Sequence, residues 1–182
     1  NPLSILVGKV KSTKLSQAKL NKILLELNKA LESPTNRKFE VGENSKINDN
    51  WFLPETITVL SRIKSEIQSL NETEEYINFF YLAFLSIVRK VSKATTQQGR
   101  LFKDVDTAVS DPYPLFVKKC KVMIVDVVNL PENNTAIIEN RTALEKIDQK
   151  YLGKTKLVIC HPPYFNLYKY STINSLELAW MS

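Results

Sequence analysis

Lys121-Val122-Met123-Ile124-Val125-Asp126-Val127-Val128 is the stretch on which the fold turns. Apolar and β-branched residues dominate it, and such residues suit a pleated, buried surface, so it reads as a strand. Downstream, Thr142 to Tyr151 spaces its apolar residues as an amphipathic helix. Residues 156–160 (Lys156-Leu157-Val158-Ile159-Cys160) then read as a second buried strand. Strand, helix, strand in this order predicts a parallel crossover unit and therefore an α/β protein. Two strands make a poor sheet, and both are apolar enough to need cover on each face. The sheet is expected to be completed either by further sequence or by another copy of the chain, which would make the protein self-associate.

Working back from Lys121, residues 1–120 read as mainly helical. A short helix is expected at Leu115–Cys120, after a polar, turn-rich stretch from Thr95 to Pro114 that contains Gly99-Arg100. Before that, roughly Glu75 to Lys93 is apolar nearly all round its helical axis, the mark of a helix buried within a domain. Asn71-Glu72-Thr73-Glu74 has capping-box spacing at its start. A further helix opens at Trp51-Phe52-Leu53-Pro54, with Pro54 suited to a first turn and Ile57, Leu60, Ile63, Ile67 and Leu70 as its stripe. Leu20, Ile23, Leu24, Leu27 and Leu31 place one apolar face on a helix over Leu15–Leu31. Residues 33–50 are polar and read as a loop. Asn1-Pro2-Leu3-Ser4 runs straight into helical spacing, and Asn174 to Ser182 looks like a helix still in progress. Both abrupt ends suggest an excised piece of a longer polypeptide.

Composition narrows the classes. A chain of 182 residues, 43% of them hydrophobic, suits one domain with a real core. Cys120 and Cys160 are too few for a disulfide framework, and His161 is the single histidine, so no metal site of ordinary Cys/His spacing can be built. Cysteines of this kind suit a reducing cytoplasm. No signal peptide is visible, and no apolar run reaches the ~18 residues of a membrane span. The net charge of +6 favours an anionic partner. The cations concentrate at Lys9/Lys11/Lys14, at Lys90/Lys93/Arg100/Lys103 and at Lys118/Lys119/Lys121, where a solvated surface is the plain alternative to a phosphate track.

The chemistry-bearing segment is His161-Pro162-Pro163-Tyr164. Two prolines stop the preceding strand, since neither can donate to a sheet ladder. They present an aromatic ring just beyond the carboxyl end of the strand, where open α/β sheets bind ligands. A polar atom and a proline carbonyl beside a flat ring can grip an amino group on a planar base. The plain alternative is a rigid turn with Tyr164 and Phe165 packed.

The segment resembles the Asp/Asn/Ser-Pro-Pro-Tyr/Phe catalytic loop of amino-methyltransferases, with His161 departing from the first position. The chain as a whole resembles the middle of a bacterial DNA modification methylase. Asn1-Pro2-Leu3-Ser4 is similar to the end of that family's Asp-hydrophobic-Asn-Pro-Leu segment, and Gly99-Arg100 to a short basic turn. Asp126-Val127-Val128-Asn129-Leu130-Pro131 is similar to its Asp-x-x-x-Leu-Pro turn, and Tyr168 to Trp180 to its Tyr-rich, Leu-Glu-x-x-Trp helix. The resemblance implies a partial Rossmann-like methyltransferase fold with a large helical insert, carrying parallel strands near 121–128 and 156–160. It implies an AdoMet-dependent enzyme that methylates adenine N6 or cytosine N4 of a flipped DNA base. It assigns catalysis to His161, Pro162, Pro163 and Tyr164, and cofactor contact to Asp126, Asn1 and Pro2. It does not supply the glycine-rich cofactor turn, because Gly8, Gly42, Gly99 and Gly153 stand far apart. The chain by itself is therefore expected to bind AdoMet weakly or not at all and to be inactive. An RNA or protein amide methyltransferase and a non-catalytic helical nucleic-acid-binding module are the competing classes.

Overall fold

The computed structural model describes residues 1–39, 47, 50–97, 100–131, 136–142, 144–146, 148–159 and 170–182. Its first element, α1 (Pro2–Ser12), begins where the Asn1 side chain accepts a hydrogen bond from the Leu3 amide and Pro2 occupies the first turn. Helix α2 (Gln17–Glu32) follows, capped by Ser16 and buried along Leu20, Ile23, Leu24 and Leu27. Helix α3 (Pro54–Gln68) buries Leu60, Ile63 and Ile67. Its Arg62 donates to the carbonyls of Ala30 and Ser33, and so closes off the otherwise unpaired C-terminal end of α2. Helix α4 (Glu74–Val88) buries Phe79, Phe80, Ala83, Phe84, Leu85, Ile87 and Val88. Its cap is Thr73 rather than Asn71, because the helix starts at Glu74.

Around α4 the rest is built. α1, α3 and the later helices α5 (Pro112–Val128) and α7 (Ser175–Met181) pack directly on it, while α2 covers α3 and α5. A helix apolar round most of its circumference can satisfy all its faces only at such a centre. Between α4 and α5 lies a hairpin of β1 (Ala94–Gln97) and β2 (Arg100–Lys103), paired antiparallel with Ala94 opposite Lys103 and Thr95 opposite Phe102. The Lys93 amide donates to the Trp51 carbonyl and the Asp104 amide to the Lys93 carbonyl, each at 2.8 Å, which ties the hairpin base to the chain entering α3. A short helix α6 (Tyr170–Ile173) packs on β2 and leads into α7.

The expected parallel α/β sheet does not form. Residues 121–128 are the second half of α5, and the sheet among the described residues is the antiparallel hairpin alone. The reason lies upstream of the stretch first quoted. Asp111 accepts a hydrogen bond from the Tyr113 amide and caps a helix whose first residue is Pro112. From there Phe116, Cys120, Met123, Ile124 and Val127 fall at i, i+4, i+7, i+8 and i+11 and are buried, while Val122, Val125 and Asp126 face solvent. The apolar period is helical once the window starts at Pro112. The β-branched residues concentrated between Val122 and Val128 conceal it.

With that strand gone, residues 156–159 have no neighbour to pair with, and an isolated strand is not stable. They are irregular, with Leu157 76% and Ile159 86% exposed. The expected helix over Thr142–Tyr151 reduces to a 3₁₀ turn at Gln149–Tyr151, since Leu144 finds nothing to pack against. The stretch from Thr95 to Pro114, expected to be turns alone, holds the hairpin and the start of α5. Among the described residues there is thus no incomplete parallel sheet to serve as a route to self-association.

Candidate functional site

His161, Pro162, Pro163 and Tyr164 lie outside the described residues. Their downstream support is described, and it is firmly built. Arg89, at the end of α4, directs its Nη2 to the Ile173 carbonyl at 2.8 Å, to Asn174 Oδ1 at 3.0 Å and to Glu177 Oε1 at 2.7 Å. All three acceptors belong to the segment that follows Tyr170. Glu177 is buried, and the Arg89 guanidinium facing it offsets part of the cost of taking its side chain out of water. One turn on, Trp180 stands edge-on to Phe52 (5.9 Å between ring centres) and to Phe84 (5.7 Å), filling the space between α3, α4 and α7. Tyr81 donates to the Trp180 carbonyl at 2.9 Å, and burial pushes its phenol up to about 12. The Leu176-Glu177-Leu178-Ala179-Trp180 sequence is therefore a docking helix, with Trp180 as packing.

The three residues assigned to cofactor contact are not brought together. Asn1 spends its side-chain oxygen on the cap of α1. Pro2 borders a cavity of about 270 Å³ with Ile5, Leu6, Lys9, Asn78, Tyr81, Asn140 and Met181. Asp126 is not among its walls. It lies exposed near the end of α5, where Asn129 donates to the Val125 carbonyl at 2.8 Å and the helix stops. The Asp-x-x-x-Leu-Pro segment thus closes a helix, not a strand.

Neither described glycine stands where it would cradle a ligand. An added Cβ at Gly8 would meet the Ile138 side chain at 3.2 Å, so its small size serves packing, and Gly153 takes a positive φ of 72° in an open turn. Among the described residues, Asp126 does not share the cavity that Pro2 borders, and neither Gly8 nor Gly153 forms part of a glycine-rich turn.

Among the described residues, the other reactive groups are accounted for by their surroundings. Cys120 is buried, and burial pushes its thiol well above the range in which a thiolate forms at neutral pH. No cluster of three or more metal-ligating side chains occurs among the described residues, and no described helix is long and apolar enough to cross a membrane. A cleft of about 190 Å³ between α1 and α4 contains Lys9 and Glu74, but these two side chains satisfy each other at 2.8 Å.

The signal that sequence reading missed is the pairing register of the hairpin. β1 and β2 lack strict alternation of polar and apolar residues, yet their register sets Thr95, Gln97, Arg100 and Phe102 on one face and Ala94 and Leu101 on the core side. Against known proteins, no family model, curated sequence or solved structure matches this chain.

Proposed function

We propose that this chain serves a DNA amino-methyltransferase as the part that holds the target base while its exocyclic amine is methylated from AdoMet. The observation that carries the reading is the His161-Pro162-Pro163-Tyr164 sequence, followed after a few residues by a helix that Arg89, Tyr81 and Trp180 fasten to the core. A loop that must hold a base within tenths of an ångström needs a rigid footing nearby. In this reading Tyr164 stacks on the base, and the Pro162 carbonyl and a neutral His161 nitrogen accept hydrogen bonds from the amine. The methyl donor is held by residues other than Asn1, Pro2 and Asp126. Titration of this 182-residue chain with AdoMet in a calorimeter should accordingly give no saturable heat up to millimolar ligand. Micromolar binding would place the cofactor site within it.

The decisive experiment expresses the gene in a host without DNA methylation and maps N6-methyladenine and N4-methylcytosine in the host genome. Sequence-specific modification that disappears with Tyr164→Ala supports the reading, and its absence with the wild-type gene refutes it. His161→Asn should retain a substantial part of the rate and His161→Ala little. Because only neutral imidazole accepts, and an ordinary histidine titrates near ~6.5, methylation should fall below about pH 6.

A core closed by helices, with no parallel sheet among the described residues, favours a second reading: a non-catalytic nucleic-acid-binding module. It requires DNA binding without methylation in the same experiments.

A further inference from the structure

Among the described residues, the large aliphatic side chains that helices leave exposed are Leu25 (54%), Val122 (50%) and Val125 (56%). They follow one groove between α2 and α5. Its volume is about 500 Å³, with Asn28 and Glu32 of α2 on one wall and Pro114, Val117, Lys118 and Val122 of α5 on the other. Leu25 precedes Asn28 by three residues and Glu32 by seven, so helical spacing sets it on the groove side of α2. Val125 follows Val122 by three and Lys118 by seven, and continues the wall of α5 in the same way. At one end the Tyr113 hydroxyl donates to Glu32 Oε1 at 3.0 Å and ties the start of α5 to the end of α2.

Single exposed aliphatic residues are ordinary, but a row of them along a concave surface marks a contact site. The other long helices, α1, α3 and α4, leave none exposed. Charge indicates what the row meets. Lys118 and Lys121 line the groove and, among the described residues, enter no ion pair, whereas Lys9 and Lys19 are each committed to a glutamate. Glu32 is the one carboxylate among the described lining residues, and the Tyr113 hydroxyl already engages it. Asp126, one turn beyond Val122, is exposed but does not line the groove. The uncommitted charge there is positive.

We infer that the α2–α5 groove receives an amphipathic helix of a partner protein, with apolar side chains against Leu25, Val122 and Val125 and carboxylates facing Lys118 and Lys121. Two helices side by side leave a furrow whose shape a third helix fills. Pro114 to Val125 covers about 16 Å of α5, so the contact takes about three turns of the partner. Nucleic acid would answer the lysines but leave the aliphatic row in water, and the hydroxyl of Tyr113, the one ring among the described lining residues, is bonded to Glu32. A second copy related by a two-fold axis would bring the same patch against itself, lysines included. The groove is separate from the His161–Tyr164 segment and rests on no part of the methyltransferase reading.

The test is selection from a displayed library of helical peptides about 18 residues long on the 182-residue chain, then fluorescence polarisation with the tightest peptide made synthetically. Selected peptides should carry leucine, isoleucine or phenylalanine at i, i+3 or i+4, and i+7, with aspartate or glutamate alongside. Val122→Ser/Val125→Ser should weaken binding about tenfold while the melting temperature stays that of wild type, since both side chains are exposed. Leu25→Ser should weaken it from the opposite wall. Lys118→Glu/Lys121→Glu should reject the acidic peptide and accept its counterpart with lysine in place of each acid, a reversal that loss of folding cannot produce. Lys90→Gln/Lys93→Gln, just beyond α4, should leave the affinity unchanged. Absence of enrichment overturns the inference, as does wild-type affinity in Val122→Ser/Val125→Ser. So does displacement of the peptide by an equal concentration of DNA duplex of about 20 base pairs, which would assign the lysines to phosphates. Concentration-dependent sedimentation that Val122→Ser/Val125→Ser abolishes would make the groove a contact between copies, and overturns it too.

Discussion

At the scale of single residues, Arg89 has the widest influence. Its guanidinium joins the end of the central helix to a carbonyl, an amide oxygen and a carboxylate of the C-terminal segment. Side-chain exposure is 28% for Arg89 and 11% for Glu177, so the pair is shielded from water without being dry. Removing one member of such a pair strands the other charge. Arg89→Met should therefore cost about 3 kcal/mol in urea unfolding, and Arg89→Met/Glu177→Met should recover part of that loss. Losses that simply add in the double variant would show that the two groups do not stabilise each other. Trp180→Ala should cost about 3–5 kcal/mol, because the space between Phe52 and Phe84 cannot collapse onto the missing indole. Both residues were visible in the sequence as a charge and an aromatic within helical spacing. Their partners lie 84 residues away or more and were not.

At the scale of elements, the caps decide where helices start, and they are local. Asp111→Ala should destabilise the protein by about 1 kcal/mol, since the Tyr113 amide loses its acceptor. The N-terminal end of α4 is fastened differently, by Glu74 accepting from Lys9 of α1 and from Asn78. These contacts hold the Glu74 carboxyl below its ordinary value near 4.5, the Lys9 hydrogen bond being the largest cause. A depressed carboxylate contributes stability above its unfolded pKa and loses it as pH falls through the folded one. The melting-temperature gap between wild type and Glu74→Gln should therefore be open at neutral pH and close on acidification below about 4.5. A gap that persists in acid would mean that Glu74 acts through packing. Helices α2, α3 and α4 were legible in outline because each carries several turns of one apolar stripe. α5 was not, because its middle is rich in residues that also favour strands, and only Phe116 and Cys120 reveal the longer period.

At the scale of the whole molecule, the exposed Leu157-Val158-Ile159 run is the feature least suited to a monomer in water. Short apolar runs with high strand propensity associate with their like. The chain should show concentration-dependent sedimentation that Val158→Lys reduces, and a monomer at all concentrations for wild type would remove this run as a contact surface. The same run explains why an α/β fold was expected. A stretch of this kind is a strand only when another strand lies beside it. The expected partner is occupied as a helix packed on α4.

The sequence by itself determined the helical stripes, the helix start at Asn1-Pro2, the central place of the apolar α4, the basic character of the stretch before and within the hairpin, and the resemblance carried by His161 to Tyr164. These depend on side-chain chemistry over a few neighbouring turns, which the covalent chain already contains. Only the tertiary structure decided that Val122 to Val128 is helix, that Arg89 holds the C-terminal segment, that Asn1, Pro2 and Asp126 do not converge, and that Phe102 faces water beside Arg100. Each of these follows from which surfaces bury one another, and burial is a property of distant segments meeting. A valine-rich run has no face until something covers it, and here α4 supplied the cover on the helical side.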